Sequence, residues 1–212
     1  MKENIVEINM MLGGDKPREL PSGKFWCGVD RGAIYLLKNN KEVLVACGDF
    51  DSITKEEKEL LKQKSSYFFE KESQYETDTD FALNNLIALF PNLKTINIYG
   101  ATGRRLDHFY GNMLLLNSSK YKNITLNIID DNNIVMVAKT GENIFTAKEG
   151  YKYFSIVPIY ENTVMTILGA KYEAENLVLS LDRPNATSNE FVPNKNITLK
   201  LSKNSLVIYS KD

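Results

Sequence analysis

The stretch Tyr99-Gly100-Ala101-Thr102-Gly103-Arg104-Arg105-Leu106-Asp107-His108 places glycines, a hydroxyl, two guanidinium groups and a carboxylate where an apolar strand pattern gives way to a helical one. Glycine lets the backbone approach an anion closely, a helix start aims free N–H groups outward, and arginine adds planar, permanently charged donors. A bare anion has no use for Asp107 in that setting, whereas a divalent cation bridging phosphates does.

More acids occur at equivalent points of the chain. Asp30 follows the apolar run 25–29, Asp49 and Asp51 follow the run 43–47 within Gly48-Asp49-Phe50-Asp51-Ser52, and Asp78 and Asp80 open a helical pattern. In an open parallel sheet ligands bind at the carboxyl ends of the strands, which is where these residues fall. Taken singly, each aspartate reads as a turn or N-cap residue, and Asp78 fits that role well. The pair Asp49 and Asp51 fits it less well, because two carboxylates one residue apart repel unless a cation or solvent screens them. Acids at several junctions of one edge, opposite Thr102, Arg104 and Arg105, form the layout of a magnesium–nucleotide site. Hard oxygens hold the metal there, and arginine holds phosphate.

Other chemistries are disfavoured. Gly100-x-x-Gly103 matches neither the dinucleotide fingerprint nor the Walker lysine motif, and Gly13-Gly14 reads equally as a phosphate-approach turn or as a loop. His108 is the only histidine and has no cysteine partners for zinc, so it orients Asp107 or caps a helix. No serine elbow or thiolate dyad is evident, which leaves positioning and electrostatics to do the chemistry.

The elements that must position these groups follow from periodicity. Strands are expected at residues 5–11, 25–29, 43–47, 67–69, 95–99 and 124–129, with helices at 32–38, 55–64, 79–90 and 106–118 between them. Thr54-Lys55-Glu56-Glu57 has capping-box spacing and fixes one helix start. This alternation predicts an α/β unit over residues 1–130, an open, mostly parallel, Rossmann-like sheet with flanking helices. Over 131–212 helical periodicity disappears, and short strands at 134–138, 153–159, 163–168, 176–181, 197–201 and 206–209 predict a small all-β sandwich. The formal net charge is −1, from 26 basic and 27 acidic residues, which offers no field for nucleic acid or an anionic membrane surface. Apolar runs fall far below the ~20 residues of a membrane span, and the start lacks a signal-peptide pattern. A cytoplasmic protein with a small-molecule ligand is expected, with Cys27 and Cys47 as buried thiols.

In this order, Asp30-Arg31-Gly32-Ala33, Gly48-Asp49-Phe50-Asp51-Ser52, Thr77-Asp78-Thr79-Asp80-Phe81-Ala82-Leu83, residues 100–108 and Thr187-Ser188-Asn189-Glu190-Phe191 resemble the thiamine pyrophosphokinase family across nearly the whole chain. The resemblance implies a catalytic α/β domain, a β-sandwich domain that binds thiamine and dimerises, and Mg2+-dependent transfer of diphosphate from ATP to thiamine. It implies that Asp49, Asp51, Asp78 and Asp107 organise the metal and triphosphate. Asp30, Gly32 and Ala33 become nucleotide-site residues, and Thr102, Gly103 and Arg105 phosphate-site residues. Ser188 and Asn189 meet thiamine across a homodimer interface, and Asp78 and Asp107 are the candidates for the base. Three departures stand out: Arg104 replaces a usual glycine, Tyr75 replaces an acid for which Glu76 or Asp80 could substitute, and the only tryptophan, Trp26, lies in the first domain and not where the second would use an aromatic on the substrate. Rival readings are a diphosphokinase of a pterin-type hydroxymethyl acceptor and a non-catalytic nucleotide or thiamine sensor.

Overall fold

Apolar runs in the first half of the chain pair as parallel strands β1 (Glu7–Met11), β2 (Trp26–Val29), β3 (Val45–Gly48), β4 (Tyr67–Glu70), β5 (Thr95–Tyr99) and β6 (Thr125–Ile129). Their order is β6-β5-β1-β2-β3-β4. The computed structural model describes residues 4–22, 25–103 and 105–212, so Arg104 lies outside the described residues. The chain divides into two compact units, Met1–Asp131 and Asn132–Asp212.

In the first unit the helices α1 (Arg31–Lys38), α2 (Lys55–Lys64), α3 (Asp78–Leu89) and α4 (Leu106–Leu116) connect the strands. Helix α2 starts with the expected capping box between Thr54 and Glu57. Met11, Trp26 and Ala46 bury one face of the sheet together with Ala33, Leu36 and Leu61 from the helices. On the other face Ile8 and Met10, which alternate with Met11 along β1, are buried with Ile96 and Ile98 of β5 and Leu126 and Ile128 of β6. Strand order reverses at β1, so the loops after β1 and β5 leave the sheet side by side, which is where such sheets place ligands. These loops are sewn together by Gly14 N–H to Gly100 O (2.8 Å) and Asp15 N–H to Thr102 O (2.9 Å). A Cβ on Gly14 would stand 2.4 Å from the Thr102 carbonyl oxygen. Gly14 thus allows two loops to meet closely, whereas a Cβ on Gly13 would meet nothing within 4 Å.

Cys27 and Cys47 are buried free thiols on the neighbouring strands β2 and β3. A hydrogen bond to Cys47, with burial behind it, pushes the Cys27 thiol well above its ordinary range.

The second unit holds two antiparallel sheets. One is ordered β12 (Asn189–Glu190), β9 (Tyr153–Pro158), β14 (Ser205–Ser210), β7 (Asn133–Ala138). The other runs β11 (Ala174–Leu179), β10 (Thr163–Leu168), β13 (Ile197–Leu201), β8 (Gly141–Phe145). Inward residues of both sheets, among them Phe154, Val207, Tyr209, Met165, Ile167 and Leu199, form one core, as a sandwich requires. Two of these strands escape the sequence pattern. β8 has few apolar residues and takes its register from β13, and β12 is only two residues long, paired to β9.

Phe154 is fully buried, with its ring 5.2–5.3 Å from those of Phe145, Phe191 and Tyr209. Phe154→Ala is expected to destabilise the second unit by about 3–5 kcal/mol, measured as a lowered urea midpoint in circular dichroism.

Candidate functional site

Asp30 leaves β2 at φ 48° and ψ −122°, and although it stands at the N-cap of α1 its side chain does not cap that helix. Its N–H donates to the Cys47 carbonyl (3.0 Å), and its carboxylate accepts from the Phe50 N–H (3.1 Å), which ties the ends of β2 and β3 together. Gly48, at φ 140°, makes room for this, since a Cβ there would lie 1.9 Å from Asp30 Oδ1. Phe50, at φ 56°, buries its ring against Phe68 at 4.6 Å, so Asp49 and Asp51 on either side turn outward. On α3 the capping role belongs to Thr77, whose hydroxyl accepts the Asp80 N–H (3.2 Å). Asp78 is therefore free for other work, in contrast to its N-cap reading. Its neighbour Asp80 is held by Lys120 (3.0 Å) and the Tyr121 hydroxyl, and Glu76 accepts from Asn84 (2.8 Å). Both acids that could have replaced the missing one at position 75 thus have structural partners.

The outcome is that carboxylate oxygens of Asp30, Asp49 and Asp78 lie within 4.8 Å of one another. Burial, then the charges of Asp78, Asp49 and Asp51, raise the Asp30 pKa to about 7 against an opposing hydrogen bond from Phe50. Asp51 is raised too, chiefly by the charge of Asp49. The donors are all hard oxygens, close enough together to share one divalent cation, in whose shell opposite ligands stand about 4–5 Å apart. The residues present therefore fit magnesium. Lys71, just beyond β4, places its ammonium 2.7 Å from Asp78 Oδ1 and is almost fully buried. Sequence reasoning missed it, although a lysine directly after a strand, on the same sheet edge as the acids, was the available signal.

The loop after β5 is organised differently from the expectation of opposing acid and arginine walls. Arg105 pairs with Asp107 through Nε (3.1 Å) and through its terminal nitrogen, and this contact holds the Asp107 carboxyl down at about 2. Both side chains are exposed, and neither Asp107 nor Asp51 is in the group formed by Asp30, Asp49 and Asp78. Thr102 is half-buried and Gly103 exposed at φ 85°, with the Asp15 carboxylate where a Cβ would stand. Gly32 and Ala33 are buried packing positions, Gly32 against the Met11 carbonyl and Ala33 against Gly28.

In the second unit Ser188 adopts φ 59° and donates its N–H to Ser155 Oγ (2.9 Å). Asn189 is buried and clamps Tyr172, accepting its N–H (3.0 Å) and donating to its carbonyl (2.7 Å). Asn189 and Tyr172 line a cavity of about 240 Å³ with Ile156, Met165, Ile167 and Asn185. Tyr172 is largely exposed, and nothing in the residue pattern distinguishes it from the chain's other tyrosines.

Residues 17–128 match a family model described as thiamin pyrophosphokinase, catalytic domain, and residues 142–206 one described as thiamin pyrophosphokinase, vitamin B1 binding domain. The thiamine pyrophosphokinase of Bacillus subtilis (strain 168) is 32% identical over 211 residues, covering 95% of this chain and 96% of that protein. A crystal structure of the Bacillus subtilis thiamine pyrophosphokinase superposes with a TM-score of 0.85 at 30% identity, covering 97% of this chain and 99% of that one. A crystal structure of the thiamin pyrophosphokinase from Geobacillus thermodenitrificans gives 0.83 at 32% identity, over 98% of both chains.

The raised Asp30 pKa has a definite sign in stability. Between pH about 4, where an unfolded aspartate loses its proton, and about 7, where the folded one does, the folded state holds the extra proton. Stability of the metal-free protein therefore falls as pH rises through that window, by about 4 kcal/mol at most from this group, and levels off above it. Urea unfolding in EDTA at pH about 5 and about 8 is expected to show the drop, and Asp30→Asn to reduce it.

Proposed function

The chain belongs to the thiamin pyrophosphokinase family, and on that footing we propose that it transfers the terminal diphosphate of ATP to the hydroxyethyl oxygen of thiamine, giving thiamine diphosphate and AMP. The observation that carries this reading is the convergence of Asp30, Asp49 and Asp78 at the strand ends of the unit that matches the catalytic domain.

Asp49, Asp51 and Asp78 hold Mg2+ with the triphosphate, Asp30 stands beside them, and Gly32 and Ala33 keep the nucleotide-side turn close to the sheet. Magnesium, when bound, neutralises phosphate charge and draws electron density from the phosphorus under attack. Thr102, Gly103 and Arg105 serve the phosphates, with Arg105 exchanging the Asp107 carboxylate for a phosphate oxygen and so releasing Asp107. Ser188 and Asn189 serve thiamine, and the exposed ring of Tyr172 offers it an aromatic face. The thiamine oxygen forms a bond to the β-phosphorus while the bond from that phosphorus to the oxygen bridging it to the α-phosphate breaks. AMP departs with the bridging oxygen, and the hydroxyl proton passes to Asp78 or Asp107. The protein's share is alignment, charge compensation and exclusion of water. A homodimer, with the second unit of one copy serving the first unit of another, and a cytoplasmic setting complete the reading. Among the described residues no helix is long and apolar enough to cross a membrane.

Incubation with ATP, Mg2+ and thiamine is expected to yield AMP and thiamine diphosphate in equal amounts; ADP, or turnover with a pterin acceptor alone, would refute the assignment. Asp49→Asn and Asp51→Asn are each expected to lower kcat about 10²–10³-fold with the circular dichroism spectrum unchanged. Ser188→Ala is expected to raise the KM for thiamine about tenfold and leave that for ATP in place, a loss the size of one hydrogen bond.

A further inference from the structure

Lys71 follows β4 at the carboxyl edge of the sheet, and its N–H donates to the carbonyl of Gly48 (2.8 Å), the residue before Asp49. At 6% exposure it is buried to a degree that lysine rarely reaches without a partner. Its ammonium touches Asp78 Oδ1 at 2.7 Å and donates to the Glu76 carbonyl at 3.0 Å. Burial disfavours its charge, and the Asp78 contact, with the fields of Asp49 and Asp30, outweighs burial and lifts its pKa above the ordinary lysine value. Asp78 is also one of the three acids whose oxygens converge, so the ammonium shares a carboxylate with the place a metal ion would take.

We propose that Lys71 is a positioning residue and the built-in counter-cation of the acidic group. It holds Asp78 beside Asp30 and Asp49 when no metal is present, and its charge weakens the group's hold on a free divalent cation. The cation then enters with a triphosphate, whose negative charge offsets the ammonium. Two cations sharing a carboxylate repel strongly at the effective dielectric of a half-buried site, so removing one is expected to strengthen binding of the other at least tenfold. The inference rests on the reading that this group takes magnesium with ATP, but its test requires no turnover.

Lys71→Gln keeps a hydrogen-bond donor and removes the charge, whereas Lys71→Arg keeps the charge. Calorimetric titration with MnCl2, without nucleotide or thiamine, is expected to show at least tenfold tighter binding by Lys71→Gln, and Lys71→Arg within about threefold of the unaltered protein. A non-hydrolysable ATP analogue is expected to tighten Mn2+ binding more in the unaltered protein than in Lys71→Gln. Mn2+ affinity of Lys71→Gln within threefold of the unaltered protein, or weaker, overturns the proposal. If Lys71→Gln is unfolded in EDTA, recovery of its fold on adding Mn2+ supports the proposal, because the dication replaces the ammonium; no recovery overturns it. Failure of the thiamine assay in the unaltered protein would remove the substrate assignment and leave these metal affinities to be read on their own.

Discussion

Like charges held a few ångströms apart repel by about 4 kcal/mol per pair at the effective dielectric of a protein surface. The first unit holds three aspartate oxygens within 4.8 Å of one another, and much of the surrounding structure answers that repulsion. A proton retained by Asp30 near neutrality relieves part of it, and the Lys71 ammonium relieves another part. The remainder is resisted mechanically, by the Phe50 ring stacked on Phe68 and by strand ends tied together through Asp30. A fold that keeps acids together against their own field is suited to receive a cation without rearranging.

Backbone geometry marks the same places. Among the described residues with positive φ other than glycine, four are asparagines, the side chain that tolerates this conformation best, and the others are Asp30, Phe50 and Ser188. A bulky aromatic in this region costs of order 1–3 kcal/mol and persists only where its surroundings over-determine it. Phe50 persists because its buried ring stacks on the half-buried Phe68 and its N–H bonds Asp30. Ser188 persists because Ser155 Oγ accepts its N–H and the next residue is locked onto Tyr172. Positive φ thus coincides with three of the family motifs, two in the first unit and one in the second.

The sequence made the architecture legible because the alternation of apolar strands and capped helices, and its loss past residue 130, are both local patterns. Bounds agree to the residue at the apolar strands Thr95–Tyr99 and Thr163–Leu168. They fail at Gly141–Phe145, whose strand character comes from its partner and not from its own residues. The acids were legible as residues on one edge, but their grouping was not. Spacing could not reveal that Thr77 would take the cap and release Asp78, nor that Asp107 would pair with its neighbour Arg105. Lys71 was hidden for a related reason: composition counts a lysine as surface charge, and only the fold places its ammonium beneath an aspartate.

Cys27 and Cys47 lie on the two strands that end in this acidic rim, three residues before Asp30 and two before Asp49. Both are fully buried while β2 and β3 are paired, and the contact with Cys47, with burial behind it, keeps the Cys27 thiol protonated and unreactive. A thiol reagent can reach them only when that strand pair opens, so its labelling rate measures a local opening equilibrium at the root of the site. Any molecule that bridges the rim must slow that rate by the factor with which it holds the strands closed, which gives the chain an intrinsic gauge of ligand binding that needs neither turnover nor an added label.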